Sequence, residues 1–431
     1  MLKRATYLMF LLPILMACKK SFSPNLVTKV TNYLAVDGAI ISGDSTYITL
    51  SRTTALSDTT QKKVELKATL SIEDDQGKMY PFSEKGKGVY TLGVTNFSAS
   101  RQYRLDIKTT DGKTYQSDFV PMKTTPPIDS IYFKQTSDKT VLFYVNAHDP
   151  TNSTRYYRWD YKETWSYAPL FLANYQFKNG QIVPIVPDGP DDISVCYRTA
   201  FSNQIFIGSS TKLAEDVISN QLLGGIVGNS EKTGHVYVMQ LKQYALTKEG
   251  FDYYQNLQVN SEQLGSIFDS QPSSLRGNIH CVTSPSDLVV GFVSVSTTSK
   301  KQFNLRGNTI PLRGDDPYGN IAWNPPYEFY GSFYFKPPDT SDCHFKTIST
   351  YPYATFATRF AAAMSGGQYD LIDCVADIPP QPSDQPGPSF LEPNRTFGLL
   401  NVYHYAPKNC VDCRLKGGTN IRPSYFPYPA Y

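Results

Sequence analysis

Apolar and polar residues alternate along much of the first third of the chain. Between Val64 and Ile72, every second residue is apolar, so these side chains share one face of an extended chain. Residues 103–108 alternate in the same way, and Asp111-Gly112 predicts a hairpin turn into the next strand. About seven such strands in residues 32–123, with turns between them, predict an immunoglobulin-like β sandwich.

A second β region follows the paired prolines at 126–127 and is expected to span residues 124–306. In the stretch 156–165, alternation puts Tyr157, Trp159, Tyr161 and Trp165 on one face, which indicates a sandwich core more than a ligand platform for Trp159. Thr247 and Gly265 are suited to begin and end an inserted helix, and 212–223 predicts a second, shorter helix. The expected fold is mainly β, with one or two short helices.

Beyond residue 306 the periodicity fades, and residues 307–431 are predicted to form an irregular aromatic-, Pro- and Cys-rich region packed on the second domain. Its aromatic cluster could form a stacking platform for a sugar or a docking face, with core filling as the alternative. The candidate contact residues are Trp323, Tyr327, Phe329 and Tyr330.

The N-terminus predicts export and lipidation. Lys3 and Arg4 precede a short apolar run that ends in Leu15-Met16-Ala17-Cys18, the order of a secretory signal peptide over residues 1–17. The last four residues resemble the lipobox of bacterial lipoproteins, which implies covalent diacylglycerol and acyl (palmitate-type) lipid on Cys18. Several acyl chains on one residue anchor a protein firmly, and residues 18–31 would be the lipidated tether.

Six cysteines remain after Cys18, and an even remainder in an oxidising compartment predicts disulfides. The candidates are Cys196, Cys281, Cys343, Cys374, Cys410 and Cys413. The Cys410-x-x-Cys413 spacing also suits zinc, but disulfides are favoured in an exported protein. Because a ring that small is easily reduced, each of these two is expected to pair with a distant cysteine, Cys343 and Cys374 being the natural partners.

Catalytic and metal-binding motifs are not evident in the sequence. His148, His235, His280, His344 and His404 stand singly, and we find neither a Gly-x-Ser-x-Gly elbow nor His-Glu-x-x-His. The acidic pairs 74–75, 191–192 and 315–316 lie beside Gly or Pro and are interpreted as solvated turns. We therefore predict no catalytic residue, no metal and no cofactor beyond the lipid, hence a protein that is not an enzyme.

Composition bears on the partner class. With 31 Tyr, 24 Phe, 30 Pro and only 18% charged residues, the chain is typical of strands joined by turns. The formal net charge of +3 includes Lys3 and Arg4, so the mature part is nearly neutral. A nucleic-acid binder would need a concentrated basic face, and that class is not expected here.

Three segments in order resemble one family. They are 111–115 (DGKTY) with 126–132 (PPIDSIY), then 249–257 (EGFDYYQNL) with 265–273 (GSIFDSQPS) and 277–279 (GNI), then 410–420 (CVDCRLKGGTN). Together they resemble the family named domain of unknown function 4249, typical of lipoproteins of Bacteroidota. The tail departs from the family's usual closing Phe-Trp, because Tyr425-Phe426 stands there. The resemblance implies an outer-membrane lipoprotein, often encoded beside TonB-dependent transporters, and supplies no catalytic residues.

The expected function is a non-enzymatic lipoprotein of the outer membrane, with display at the cell surface favoured over the periplasmic face. It would be accessory to, or capture ligand for, a TonB-dependent transporter or another outer-membrane complex. The alternatives are an independent glycan- or peptide-binding module and, less favoured, a hydrolase on a β scaffold.

Overall fold

The structure is a computed structural model that describes residues 32–54, 63–169, 173, 175–178, 181–227, 230–233, 235–262, 277–306, 346–349, 369–375, 402–407 and 412–427. Across these residues the chain is mainly β, as predicted, with one α-helix. Within the described residues no helix is long and apolar enough to cross a bilayer.

The N-terminal unit is a two-sheet sandwich. Its strands are β1 Leu34–Ile41, β2 Thr46–Arg52, β3 Thr69–Asp74, β4 Met79–Pro81, β5 Ser83–Gly86, β6 Val89–Leu92, β7 Gln102–Lys108, β8 Thr114–Ser117 and β9 Val120–Pro121. One sheet contains the order β1-β2-β6-β5 and the other the order β8-β7-β3-β4. These orders match strands A-B-E-D and G-F-C of the immunoglobulin fold, with β4 as an extra strand beside C. The predicted immunoglobulin-like sandwich is therefore confirmed.

The strand predicted from Val64 begins later than its alternation indicates. Leu70 and Ile72 are buried in the core as predicted, but β3 starts only at Thr69. Lys67 has a φ of 57°, which breaks the extended backbone before that point. Leu66 is consequently exposed, and Val64 forms a single bridge with Ser51.

The remaining elements are β10 Ile128–Gln135, β11 Val141–Asp149, β12 Tyr156–Tyr167, β13 Tyr175–Lys178, β14 Gln181–Pro184, β15 Cys196–Phe201, β16 Phe206–Ser209, β17 Asp216–Ile226, β18 Val236–Ala245, α1 Lys248–Glu262, β19 Ile279–Cys281, β20 Val289–Val290, β21 Val295–Ser296, β22 Thr298–Arg306, β23 Lys346–Ser349, β24 Tyr369–Val375 and β25 Val402–Pro407. The described residues also contain two 3-10 helices, Glu231–Thr233 and Cys413–Lys416.

The second unit stacks the sheet β10-β11-β17 against the larger sheet β15-β12-β18-β22, in which β16 also pairs with β12. Aromatic residues dominate the shared core, including Phe143, Tyr157, Trp159 and Tyr237. A further three-stranded sheet has the order β23-β25-β24.

The helix predictions had mixed outcomes. Helix α1 forms where it was expected, and the Thr247 hydroxyl accepts a hydrogen bond from the Gly250 amide at 3.2 Å, as a capping residue does. The shorter helix at 212–223 is wrong, because residues 216–226 form strand β17 against β11. The sequence end assigned to α1, Gly265, lies outside the described residues.

The segment after α1 returns to the first sandwich. Strand β19 pairs with β8, while β20 and β21 run parallel to β1. Ile279, Val289, Val293 and Val295 are buried in the N-terminal core. These residues fall within the range 124–306 that the sequence assigns to the second domain, so that range contributes strands to both sandwiches.

Candidate functional site

The larger sheet of the second sandwich has one buried face and one partly open face. Its inner face carries Tyr157, Trp159 and Tyr237, all buried. Strand register places Phe201, Lys162, Gln240 and Gln302 in one row across the opposite face. We call this opposite side of β15, β12, β18 and β22 the outer face; it is the candidate site.

Helix α1 covers one end of the outer face. The guanidinium of Arg158 lies between the rings of Tyr244 and Tyr254, with its carbon 4.5 Å and 4.7 Å from the ring centroids. Arg158 also donates to the Asp160 carboxylate at 3.3 Å. Burial raises the pKa of Tyr254, so its phenol stays neutral against the cation. This stack attaches α1 to the sheet and closes that end of the face.

The C-terminal segment 412–427, here called the strap, covers the other end. A disulfide joins Cys413 to Cys196 in β15, across 217 residues of sequence. The Tyr197 amide donates to the Thr419 carbonyl at 2.7 Å, and the Thr419 amide donates back at 2.9 Å. Phe426 is buried against Tyr197 and two valines of β18. The strap is therefore held by a covalent bond, a backbone bridge and apolar packing.

Tyr425 of the strap borders the open part of the outer face. Its hydroxyl lies 2.8 Å from the Thr164 hydroxyl, and the Lys162 ammonium lies 4.2 Å from its ring centroid. Burial acts to raise the pKa of Tyr425, but hydrogen bonds with Lys162, Thr164 and Thr199 outweigh burial and lower it. The phenol is therefore a polar contact point as well as an aromatic one.

Between α1 and the strap, the centre of the outer face is open. Phe201 is 74% exposed, which makes it the most exposed aromatic side chain among the described residues. Thr199 is exposed two residues before it on β15, and Gln302 and Asn304 are exposed on β22 at the other side of the sheet. Lys300 pairs with Asp44 of the first sandwich at 2.5 Å, so one cation of this face is neutralised by the neighbouring unit. A sheet face that exposes an aromatic ring, hydroxyls and amides can bind a polypeptide or a sugar.

The sequence did not single out Phe201, Lys162 or Tyr425 as a group. The alternation of Tyr197, Thr199 and Phe201 indicates a strand, but the partner strand that brings Lys162 beside Phe201 is not visible in it. The predicted contact residues Trp323, Tyr327, Phe329 and Tyr330 lie outside the described residues.

The two tryptophans of β12 are structural. Trp159 is buried as predicted, and its indole NH donates to Gln243 at 2.8 Å. Trp165 is also buried. The Lys232 ammonium lies 5.0 Å from its ring centroid, and the Trp165 indole NH donates to the Glu231 carboxylate. Neither ring is available to a ligand on the outer face.

The cysteine predictions are met in part. The pairing of Cys413 with Cys343 or Cys374 is wrong, because the strap returns to β15 and brings Cys413 to Cys196. Cys281 was a disulfide candidate, but it is a buried free thiol 3.6 Å from the Thr283 hydroxyl. Cys374 lies on β24. The lipidation residue Cys18, together with Cys343 and Cys410, lies outside the described residues.

Two histidines pair with aspartates at the surface. His148 Nδ1 lies 2.8 Å from Asp129, whose hydrogen bond raises the pKa of that imidazole. His280 Nε2 lies 3.2 Å from Asp118. Both contacts are exposed, and each joins neighbouring strands or loops of one sheet. In the described part of the chain, no three His, Cys, Asp or Glu side chains converge as metal ligands.

Asp74, the first residue of the acidic pair 74–75, is buried and not solvated as predicted. Asp74 is 1% exposed, and its carboxylate accepts hydrogen bonds from the Gln76 and Lys78 amides as well as from Arg101. The prediction for Asp74 is wrong because the turn folds back over the side chain. Asp192 accepts from the Asp188 and Ser194 amides, as expected of a turn residue, whereas 315–316 lie outside the described residues.

Comparison with known proteins gives a family and two structural alignments of low similarity. A family model described as "Domain of unknown function (DUF4249)" matches residues 19–302. No curated protein matches the chain. A two-domain fibronectin type III segment of chicken tenascin aligns at 10% identity, over 49% of this chain and 90% of that one, with a TM-score of 0.16. E. coli alpha-2-macroglobulin aligns at 11% identity, over 52% of this chain and 14% of that one, with a TM-score of 0.18.

Proposed function

Because the chain belongs to the family described as domain of unknown function 4249, whose model matches residues 19–302, we propose that it is a lipid-anchored outer-membrane lipoprotein of the Bacteroidota type. In this proposal it is accessory to a TonB-dependent transporter or another outer-membrane complex, and it acts by binding, not by catalysis. The observation that carries the proposal is the lipobox Leu15-Met16-Ala17-Cys18, directly before the residue where the family match begins.

The lipid anchor gives the proposal its location. Acyl chains on Cys18 hold the protein at a membrane surface, and the residues before β1 form a tether between lipid and sandwich. At roughly 3.3–3.6 Å per residue, a fully extended tether of residues 19–31 would reach at most roughly 45 Å. The two sandwiches would thus stay close enough to the bilayer to contact a membrane protein.

The open centre of the outer face supports a binding role. Phe201 is largely exposed, and the same face offers hydroxyl and amide groups typical of an interface rim. By contrast, several buried carboxylates are engaged in structural hydrogen bonds, such as Glu163 with Lys232 and Tyr237. Glu163 is thus used to build the second sandwich, whereas the exposed groups of the outer face suit recognition.

Two measurements test the proposal. Mass spectrometry of the N-terminal peptide should find a diacylglyceryl and acyl modification on Cys18, and Cys18→Ala should abolish both the lipid and membrane retention. Affinity purification from mildly solubilised membranes of the native organism should recover a β-barrel protein with the wild-type chain. Recovery of the lipoprotein alone would count against the accessory role, whereas an unmodified Cys18 would refute the anchor.

An independent glycan- or peptide-binding module is the second candidate, favoured by the same exposed aromatic and amide groups. A glycan array with the wild-type chain and with Phe201→Ala separates it from the first. Binding that the variant loses would favour the module; no bound glycan would dismiss a sugar ligand at this face.

A further inference from the structure

Strand β15 is the outer strand of the larger sheet, and alternate residues turn their backbone groups away from the sheet. Both the amide and the carbonyl of Tyr197 bond to Thr419, on the side opposite β12. Backbone groups alternate in direction along an antiparallel strand. The amides and carbonyls of Thr199 and Phe201 therefore also point outward.

This outer edge is covered on both sides of those two residues. At Tyr197 the strap supplies the bridge with Thr419. At Ile205, two side chains of α1 bond to the backbone: Glu262 accepts from the Ile205 amide at 2.7 Å, and Gln258 donates to the Ile205 carbonyl at 2.6 Å. Residues of the chain itself thus satisfy the outward backbone groups on either side of Thr199–Phe201.

Between these covers, the described residues offer no backbone partner to Thr199 or Phe201 on the outward side. Unpaired edges usually carry charges, prolines or bulges that oppose strand addition. Strand β5 is an example, since it contains Glu84 and Lys85 and a register shift against β6. The segment Thr199-Ala200-Phe201 has none of these and is rich in strand-forming residue types.

We propose that the β15 edge at Thr199–Phe201 receives an extended segment of the membrane partner as an added antiparallel strand. This inference rests on the proposed function, because it names the surface through which the accessory protein would hold that partner. Main-chain hydrogen bonds to Thr199 and Phe201 would give affinity, as in other cases of strand addition.

Side chains on the outer face would add selectivity. Phe201 stands directly opposite Lys162 in the register and is exposed, so an apolar residue of the partner strand would pack on its ring. Lys162 lies one strand farther in, on β12, with its ammonium over the Tyr425 ring, so it is not counted as a contact of the added strand. The segment recognised is therefore short and extended, with an apolar side chain opposite Phe201.

Site-specific photo-crosslinking tests the geometry. A benzophenone amino acid is placed at position 199 or at position 201 of the full chain in the native organism, and crosslinked peptides are sequenced by mass spectrometry. An added antiparallel strand predicts attachment to partner residues two positions apart, in reverse order for the two sites. The same crosslinker at Gln302, on the far strand of the outer face, should not give that pattern.

Matched variants test the energetics. Thr199→Pro removes the outward amide, which an edge strand tolerates, together with the hydroxyl that lies 2.9 Å from the Thr164 hydroxyl, and should reduce recovery of the barrel partner at least tenfold. Thr199→Val is the matched control, because it loses the same hydroxyl but keeps the amide, and it should leave recovery at the wild-type level. A thermal melt checks that both variants fold; if Thr199→Pro does not, the crosslink register decides.

The outcomes are distinguishable from those of the proposed function. Equal partner recovery with Thr199→Pro, or crosslinks without the reversed two-residue register, would overturn the strand addition and leave the accessory role standing. If the wild-type chain recovers no barrel protein at all, the accessory role fails first and the edge proposal with it.

Discussion

Removing the Cys196–Cys413 disulfide should destabilise the second sandwich and leave the first almost unchanged. The bond joins β15 to the strap and closes a loop of 217 residues. Both cysteines are fully buried, so the test variant is the double substitution Cys196→Ala and Cys413→Ala, which leaves no unpaired hydroxyl in the core.

The size of the effect follows from the loop. The chain-entropy model gives about 18 cal/mol/K for a loop of 217 residues, or roughly 5 kcal/mol at 25 °C. Measured losses for native disulfides are about 2–5 kcal/mol, since the denatured chain keeps some structure. The strap has other attachments, including buried Phe426, so we expect it to remain docked in the variant at low temperature.

The assay is calorimetry combined with tryptophan fluorescence. Trp159 and Trp165, two of the three tryptophans, lie in the core that contains the disulfide, so in a Trp323→Phe background the fluorescence transition reports this unit. The matched control is Cys281→Ala, which alters a buried free thiol in the core of the first sandwich and breaks no crosslink.

The double variant should lower the fluorescence midpoint strongly, and reduction of the wild-type chain should reproduce the shift. A loss below about 1 kcal/mol, or an equal shift in the transition of the first sandwich, would refute the reasoning, since the crosslink would then not constrain the unfolded second unit.

Three further predictions concern polar side chains of the two sandwiches. Asp74→Asn should lower the unfolding temperature at neutral pH, and the difference in unfolding temperature from the wild type should shrink as pH falls below 3.8. Burial acts to raise the folded-state pKa of Asp74, but its hydrogen bonds and Arg101 outweigh burial and lower it, so the stabilisation by the carboxylate is lost on acidification; thermal melts at a series of pH values check this. Trp159→Phe should cost about 2–4 kcal/mol in urea unfolding, because it leaves the buried Gln243 carbonyl without its donor and opens space in the core. Arg158→Met should speed hydrogen exchange across α1 while β3 exchanges as before, because it removes the cation stacked between the two tyrosines; unchanged exchange in α1 would show that apolar packing alone holds the helix.

The predictability of this fold depends on how local the determining contacts are. Alternation in β7 and β12 places the right residues inside, because the period of a strand is set by its own backbone. The late start of β3 at Thr69 is not predictable in this way, since a left-handed Lys67 leaves no mark in the hydrophobic pattern. The same limit explains β17, where a mixed pattern over 212–223 fits helical spacing and only pairing with β11 decides for a strand.

Long-range connections account for the rest of what sequence reasoning missed. Strands β20 and β21 are two residues each, and they pair with β1, from which most of both sandwiches separates them in sequence. Such short runs carry little local information in the hydrophobic pattern. Cysteine count predicts disulfides, but the partner of Cys413 depends on where the strap docks. The outer face was missed for the same reason: strand register alone puts Phe201 beside Lys162 and brings Gln302 into the same row.

The chain covers the β15 edge on both sides of Thr199–Phe201 but leaves these residues uncovered, and this difference argues for a role of the uncovered part. Covering an edge requires specific partners: Thr419 at Tyr197 depends on the strap, and Gln258 and Glu262 at Ile205 depend on α1. Both covers end beside the same short stretch, and within the described residues Thr199 and Phe201 have no outward backbone partner there. An exposed edge is an aggregation hazard, and proteins usually protect such edges with charge or proline. An edge left without that protection, beside an exposed Phe201 and between two built covers, is more economically explained as a place kept for another strand than as an incomplete cover.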